Sequence, residues 1–172
     1  MATNLDKEIV MVSACLTGMK CVNYPSLSLE DPDVTKLFEA GRALPFCPEQ
    51  IGGLPTPRPP AGFLGGGSAN ELWTESGSSV VRMVSAEGDD FTEEFLRGAT
   101  EILRMMQLVG AKEAILCDGS PSCGVTKTSV YNQDGFLVIK PGCGVLTWLL
   151  QTNQIKVYTP HTWKERFQGT RG

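Results

Sequence analysis

Short, continuous apolar runs alternate with stretches of helical periodicity, and this alternation constrains the chain more than any other feature. Ile9-Val10-Met11-Val12-Ser13, Ala43-Leu44-Pro45-Phe46-Cys47 and Ala114-Ile115-Leu116-Cys117 are nearly uninterrupted apolar runs. A strand with one solvated face would alternate apolar and polar residues, so these runs read as strands covered on both faces, although Pro45 suggests a strand end or an edge. Parallel neighbours need crossover connections, usually helices. The intervening pattern supplies them. Asp33 to Arg42 reads as a short helix, with Asp31 or Asp33 near its start and Gly41 near its end. Asp89 to Leu108 carries Phe95, Ala99, Ile102, Leu103 and Met106 at helical spacing, with Asp90 or Thr92 to cap it and Gly110 to end it. Cys143 to Gln151 reads as a further helix, Ile155 to Tyr158 as a last strand and Pro160 to Phe167 as a terminal helix. The expectation is an α/β fold with a mainly parallel sheet and helices on both faces, a Rossmann-like three-layer arrangement. Its 172 residues suit one domain over 1–172.

The middle of the chain is less regular. CPEQIGGLPTPRPPAGFLGGGSANE (47–71) contains Pro48, Pro55, Pro57, Pro59 and Pro60 together with glycines 52, 53, 62, 65, 66 and 67. A long structureless stretch inside a compact domain tends to be functional or mobile. Beyond it, Glu71-Leu72-Trp73 and Val80 to Val84 are expected to pair as a hairpin across Glu75-Ser76-Gly77-Ser78, and Gly135 to Ile139 to form a short extended piece.

Charge and sorting signals narrow the function classes. The net charge is -4, from 15 basic and 19 acidic residues, with no basic run longer than a dipeptide. That argues against a nucleic-acid polymer as partner but leaves room for a free base or nucleoside. At the N-terminus the apolar part, Ile9 to Val12, is too short for a secretory core, and Asp6 and Glu8 stand where basic residues belong. No run approaches a membrane span. The expected location is the cytoplasm, where disulfides are rare, so the six cysteines call for packing, metal binding or catalysis.

Cys15, Cys47 and Cys123 share one property: each stands at or just beyond the carboxyl end of an expected strand. Ligands in open α/β sheets bind beyond those ends, so three thiols from three loops are expected to converge on one rim. Cys117 lies inside an apolar run and reads as a core thiol. Cys21 is either a fourth ligand or a bystander in the loop of Cys15, and Cys143 opens an expected helix. His161, the single histidine, reads as a surface or capping residue. Three convergent thiolates suit zinc or an iron–sulfur cluster, and the absence of any C-x-x-C pair leaves both open. Glu49, two residues beyond Cys47, is placed for general acid–base work, and Ser120 and Ser122 flank Pro121 beside Cys123, positioned to donate hydrogen bonds.

SACLTG (13–18), LPFCPEQIGGLPTPRPPAG (44–62) and GSPSCG (119–124) together resemble a bacterial family long catalogued as a domain of unknown function, whose members are thiouracil desulfidases. GVLTWLLQTNQIKVY near the C-terminus is similar to the family too, so the resemblance covers most of the chain. It implies a [4Fe–4S] cluster held by Cys15, Cys47 and Cys123, with the fourth iron free to take the sulfur of a thiolated uracil. It implies Glu49 as the catalytic carboxylate and Ser120, or the adjacent Ser122, as the catalytic serine. Uracil and hydrosulfide would be the products. The chain departs from the family where Val22-Asn23-Tyr24-Pro25 replaces an Arg-Tyr-Asp-Gly-like string and where Gly62 replaces an acidic residue. The competing expectation is a non-catalytic iron–sulfur or zinc protein that stores or senses. A metal-free sulfur carrier built on a reactive Cys123 is the third.

Overall fold

The computed structural model of the chain describes residues 8–24, 26–65, 67–74 and 81–168. In chain order its strands and α-helices are β1 (Val10–Ser13), α1 (Pro32–Glu39), β2 (Ala43–Phe46), α2 (Pro48–Ile51), β3 (Ala61–Leu64), α3 (Ala69–Thr74), β4 (Arg82–Ser85), α4 (Thr92–Val109), β5 (Glu113–Ile115), β6 (Lys127–Tyr131), β7 (Leu137–Pro141), α5 (Val145–Thr152), β8 (Lys156–Tyr158) and α6 (Pro160–Gln168). Among these residues no helix is long and apolar enough to cross a membrane.

The expected parallel sheet is present, in the order β2-β1-β5-β8. Its strands point alternate side chains into two cores. Val10, Val12 and Ile115 meet Val34 of α1 and Trp163 of α6, whereas Met11, Ala114 and Leu116 meet Phe95, Ala99, Ile102 and Met106 of α4 and Leu146 and Leu150 of α5. Helices cover both faces, which is why the strand sequences are apolar without alternation. The helix ends follow local chemistry. Asp31 caps α1 by accepting from the N–H groups of Asp33 and Val34 at 3.0 and 3.2 Å, and Pro32 fills the first helical position. Gly110, with φ 71°, closes α4 in the left-handed conformation.

A second sheet, in the order β4-β3-β6-β7, lies outside the sequence expectation. Its β3–β4 and β6–β7 pairs are antiparallel and its β3–β6 pair is parallel. Glu71-Leu72-Trp73 is therefore not a hairpin arm. It belongs to α3, and β4 pairs with β3 instead. The helix is set by a capping arrangement: Glu71 accepts from both the backbone N–H and the hydroxyl of Ser68, at 2.6 and 3.0 Å. Trp73 stacks on Trp148 with ring centroids 6.2 Å apart, and its indole N–H donates to the Val145 carbonyl. The expected turn at 75–78 and Val80 lie outside the described residues. Of the stretch expected to be irregular, Pro48–Ile51 forms one helical turn, with Pro48 at its first position, and Ala61–Leu64 forms a strand.

Candidate active site

The loops following β1, β2 and β5 do meet, because those strands are neighbours in the sheet. They enclose a cavity of about 220 Å³ whose wall includes Cys15, Cys47 and Cys123 together with Glu49, Ser120 and Ser122. Cys15 lies in a 3-10 turn, Ala14–Thr17, closed by Gly18 at φ 82°. Cys47 stands at the N-cap of α2. Cys143 is elsewhere, half-buried against the larger core. His161 is exposed and pairs with Glu165 on the surface of α6.

Two further thiols line the cavity, Cys21 and Cys117. Cys117 corrects the sequence reading of a core residue. β5 ends at Ile115, so Cys117 lies beyond the strand, half-buried, with its N–H donating to the Ser13 hydroxyl at 3.0 Å. The extra apolar residues after the strand disguised its end.

The α2 turn is seated by backbone-to-backbone contact with α4. A Cβ on Gly98 would overlap the Pro48 carbonyl oxygen, and one on Gly52 would overlap the Glu94 carbonyl oxygen. Arg97 donates to the Gly52 carbonyl. On the opposite wall, the loop bearing Ser120, Ser122 and Cys123 is tied at both ends. The Asp118 carboxylate accepts from the N–H groups of Val125, Thr126 and Lys127 at 2.8, 2.9 and 3.2 Å and from the Thr126 hydroxyl. Val145 and Leu146, in the first turn of α5, donate their N–H groups to the carbonyls of Pro121 and Ser122 at 3.0 and 2.9 Å. Those are N–H groups that a helix start leaves unpaired within the helix.

Glu49 joins the two walls. Its Oε1 accepts from the Ser122 hydroxyl at 2.8 Å, and its Oε2 accepts from Arg58 Nε at 2.5 Å. Ser122 and Ser120 lie 3.0 Å apart, oxygen to oxygen. The Ser120 oxygen also accepts from the N–H groups of Ser122 and Cys123, each at 3.2 Å. Since an ionised carboxylate only accepts, Ser122 gives Glu49 its one proton, and Ser120 then donates to Ser122. The chain of bonds has a single direction, from two backbone N–H groups through two hydroxyls to the carboxylate. Arg58 is a site residue that sequence reasoning missed. It is the sole charged residue between Glu49 and Glu71, and that isolation was its available signal.

The thiols compete for protonation. Contacts with Cys117 and Cys21, then burial, push the Cys15 thiol up, and contact with Cys21, then burial, does the same to Cys47. Cys21 is held low by the thiols of Cys15 and Cys47 and by the charge of Arg58. Burial pushes Cys123 up to about 12, against the pull of the Ser13 and Ser122 hydroxyls. Without a cation among them these sulfurs do not all ionise, and a metal centre is what would release their protons. Among the described residues no three Cys, His, Asp or Glu side chains are gathered to hold a single metal ion. Cys15, Cys21, Cys47, Cys117 and Cys123 all line the cavity.

Comparison with known proteins identifies the family of the chain. The chain is 34% identical over 116 residues to the uncharacterised protein YbbK of Bacillus subtilis (strain 168), an alignment covering 67% of this chain and 73% of that protein. Among solved structures it is similar to the [4Fe-4S]-dependent thiouracil desulfidase TudS, with a TM-score of 0.75 and 38% identity over 92% of this chain and 95% of that one. A family model described as 2-thiouracil desulfurase matches residues 10–162. With nearly the whole described chain inside that match, the protein belongs to the 2-thiouracil desulfurase family.

Proposed function

We propose that the protein is a thiouracil desulfidase that converts 2- or 4-thiouracil and water to uracil and hydrosulfide, using a [4Fe–4S] cluster held by Cys15, Cys47 and Cys123. The observation that carries this reading is the directed hydrogen-bond chain from Ser120 through Ser122 to Glu49, which lines the same cavity as the three thiols. A storage or sensor protein needs the sulfurs but has no use for a carboxylate wired to two hydroxyls. The donor set fits the cluster: Cys15, Cys47 and Cys123, from three separate loops, line one cavity, and soft sulfur donors are the ligands that iron–sulfur clusters take. When bound, the cluster supplies a Lewis-acidic iron without a protein ligand, suited to thiocarbonyl sulfur.

The remaining chemistry belongs to the chain. Glu49 accepts the proton of the attacking water as general base, and its orientation is fixed by Ser122 on one oxygen and Arg58 on the other. Ser120, whose oxygen two backbone N–H groups hold in place, orients the thiolated pyrimidine. As the tetrahedral carbon collapses, the proton held by Glu49 passes to the departing sulfur, the added hydroxyl loses its own proton to solvent as the carbonyl forms, and the carboxylate is restored. The cavity, about 220 Å³, suits a free pyrimidine rather than a polymer.

The test is turnover of 2-thiouracil and 4-thiouracil by protein purified and reconstituted without oxygen, with uracil and hydrosulfide quantified separately. Equal amounts of the two products are expected. Protein carrying about four irons and four sulfides per chain that releases no uracil from either compound would overturn the reading in favour of storage or sensing.

A further inference from the structure

Arg58 has no role in the proposed reaction beyond its bond to Glu49, yet it is the more enclosed member of that ion pair. Its side chain is 4% exposed, and that of Glu49 is 13% exposed. Its planar fork is fully engaged. Nε donates to Glu49, Nη1 to the Pro55 carbonyl and the Thr56 hydroxyl at 3.2 and 3.1 Å, and Nη2 to the Cys21 carbonyl at 2.9 Å. Nη2 also lies 4.0 Å from the Cys47 sulfur. One guanidinium therefore touches the carboxylate proposed as base and a thiol proposed as cluster ligand.

We propose that Arg58 is the positioning residue that couples these two groups: it fixes the Glu49 carboxylate and, through the same rigid fork, places a positive charge against the Cys47 thiolate. The inference rests on the desulfidase reading for its first half but not for its second. A carboxylate left to rotate would lose the geometry that a general base requires, and misplacement by about 1 Å costs up to ~10²-fold in rate. A cation and an N–H donor beside a ligating sulfur withdraw charge from it, and hydrogen bonds to the sulfurs are one of the terms that set a cluster's potential. A lysine keeps the charge but not the fork, since its ammonium is a point charge on a flexible stem. The bonds from Arg58 to Pro55, Thr56 and Cys21 tie the proline-rich segment to the loop that follows β1 and hold the guanidinium at the cavity wall.

The experiment compares anaerobically reconstituted wild type, Arg58→Lys and Arg58→Gln by film voltammetry of the cluster and by steady-state turnover of thiouracil. Arg58→Gln is expected to lower the reduction potential, with Arg58→Lys between it and wild type. Arg58→Gln should lose about 10- to 100-fold in kcat with little change in KM, and Arg58→Lys should recover part of that loss. Loss of the cluster from Arg58→Gln with an unchanged far-UV circular dichroism spectrum also counts for the sulfur contact. Should Arg58→Gln not fold, Arg58→Lys is read alone against the same expectations. Equal potentials overturn the coupling to Cys47, and a kcat within twofold of wild type overturns the coupling to Glu49. If wild type itself turns over no thiouracil, the desulfidase reading fails while the potentials still decide the contact with Cys47.

Discussion

Glu49→Gln separates the charge of the carboxylate from its shape. The amide can keep its oxygen on Arg58 Nε and turn its NH2 toward Ser122, which then accepts and is free to send its own proton toward the Cys123 sulfur, 3.8 Å away. The fold therefore survives, and the ion pair does not. Charges about 4 Å apart attract by ~4 kcal/mol at an effective dielectric of 20. Part of that is returned because the neutral amide is easier to bury, and one good hydrogen bond remains, so the net loss is about 2 kcal/mol. For a chain of 172 residues this corresponds to a fall in Tm of about 4–8 °C. Removing a general base lowers kcat by ~10²–10⁴-fold. Thermal melts of the apo protein and turnover of the reconstituted protein read the two effects independently. A variant with normal iron content that keeps more than a tenth of wild-type kcat would refute the base assignment, and an unchanged Tm would refute the energetic reasoning about the buried pair.

The other perturbations reach different parts of the site. Cys15→Ser, Cys47→Ser and Cys123→Ser should each abolish turnover and reduce cluster absorbance, while Cys117→Ala keeps both; a colourless but folded Cys117→Ala protein would overturn the ligand set. For Asp118, burial favours the neutral acid but is outweighed by hydrogen bonds from Thr126 and from the N–H groups of Val125 and Lys127, which hold its carboxyl below the usual value. A depressed folded-state pKa gives stability that is present above the unfolded value of ~3.9 and lost as pH falls through the folded one. Asp118→Asn should therefore lower Tm at pH 7 and flatten the loss of stability below about pH 4, both read by melts across pH. Gly98→Ala forces α4 away from Pro48 and should cost ~1–3 kcal/mol with reduced turnover, although residue 98 is outside the cavity; unchanged activity would show that the α2 turn does not depend on that contact.

Legibility in the sequence followed the range of the forces involved. β1, β2 and β5 were readable because burial on both faces writes itself as a local apolar run. The second sheet was not, since β3 is four residues long and includes Gly62, and its parallel partner β6 lies more than sixty residues away. The site divided in the same way. Cys15, Cys47, Cys123, Glu49 and the two serines stand in segments that follow expected strands, where position alone suggests a role, and the structure brings all six to one cavity. Arg58 escaped because its partner lies nine residues back across a proline-rich turn, so no helical or strand spacing links the two. Cys117 was misplaced because an apolar run does not mark the point at which its hydrogen-bonded strand stops.

The second sheet leaves no room for a side chain at position 62. Gly62 stands in β3, and a Cβ there would overlap a methyl group of Leu137 on β7 and come within 3.0 Å of the Ser129 carbonyl oxygen. Leu137 occupies the space a side chain at 62 would need, and it lines the cavity. The two positions are thus packed as a pair. Gly62→Ala should cost about 1–3 kcal/mol in overpacking. In a Leu137→Ala background the methyl overlap is gone while the carbonyl contact stays, so the cost should shrink by at least ~0.5 kcal/mol without vanishing. Denaturant melts of the four proteins in the cycle measure the difference. Strict additivity would show that the backbone contact with Ser129, rather than Leu137, is what excludes a side chain at 62.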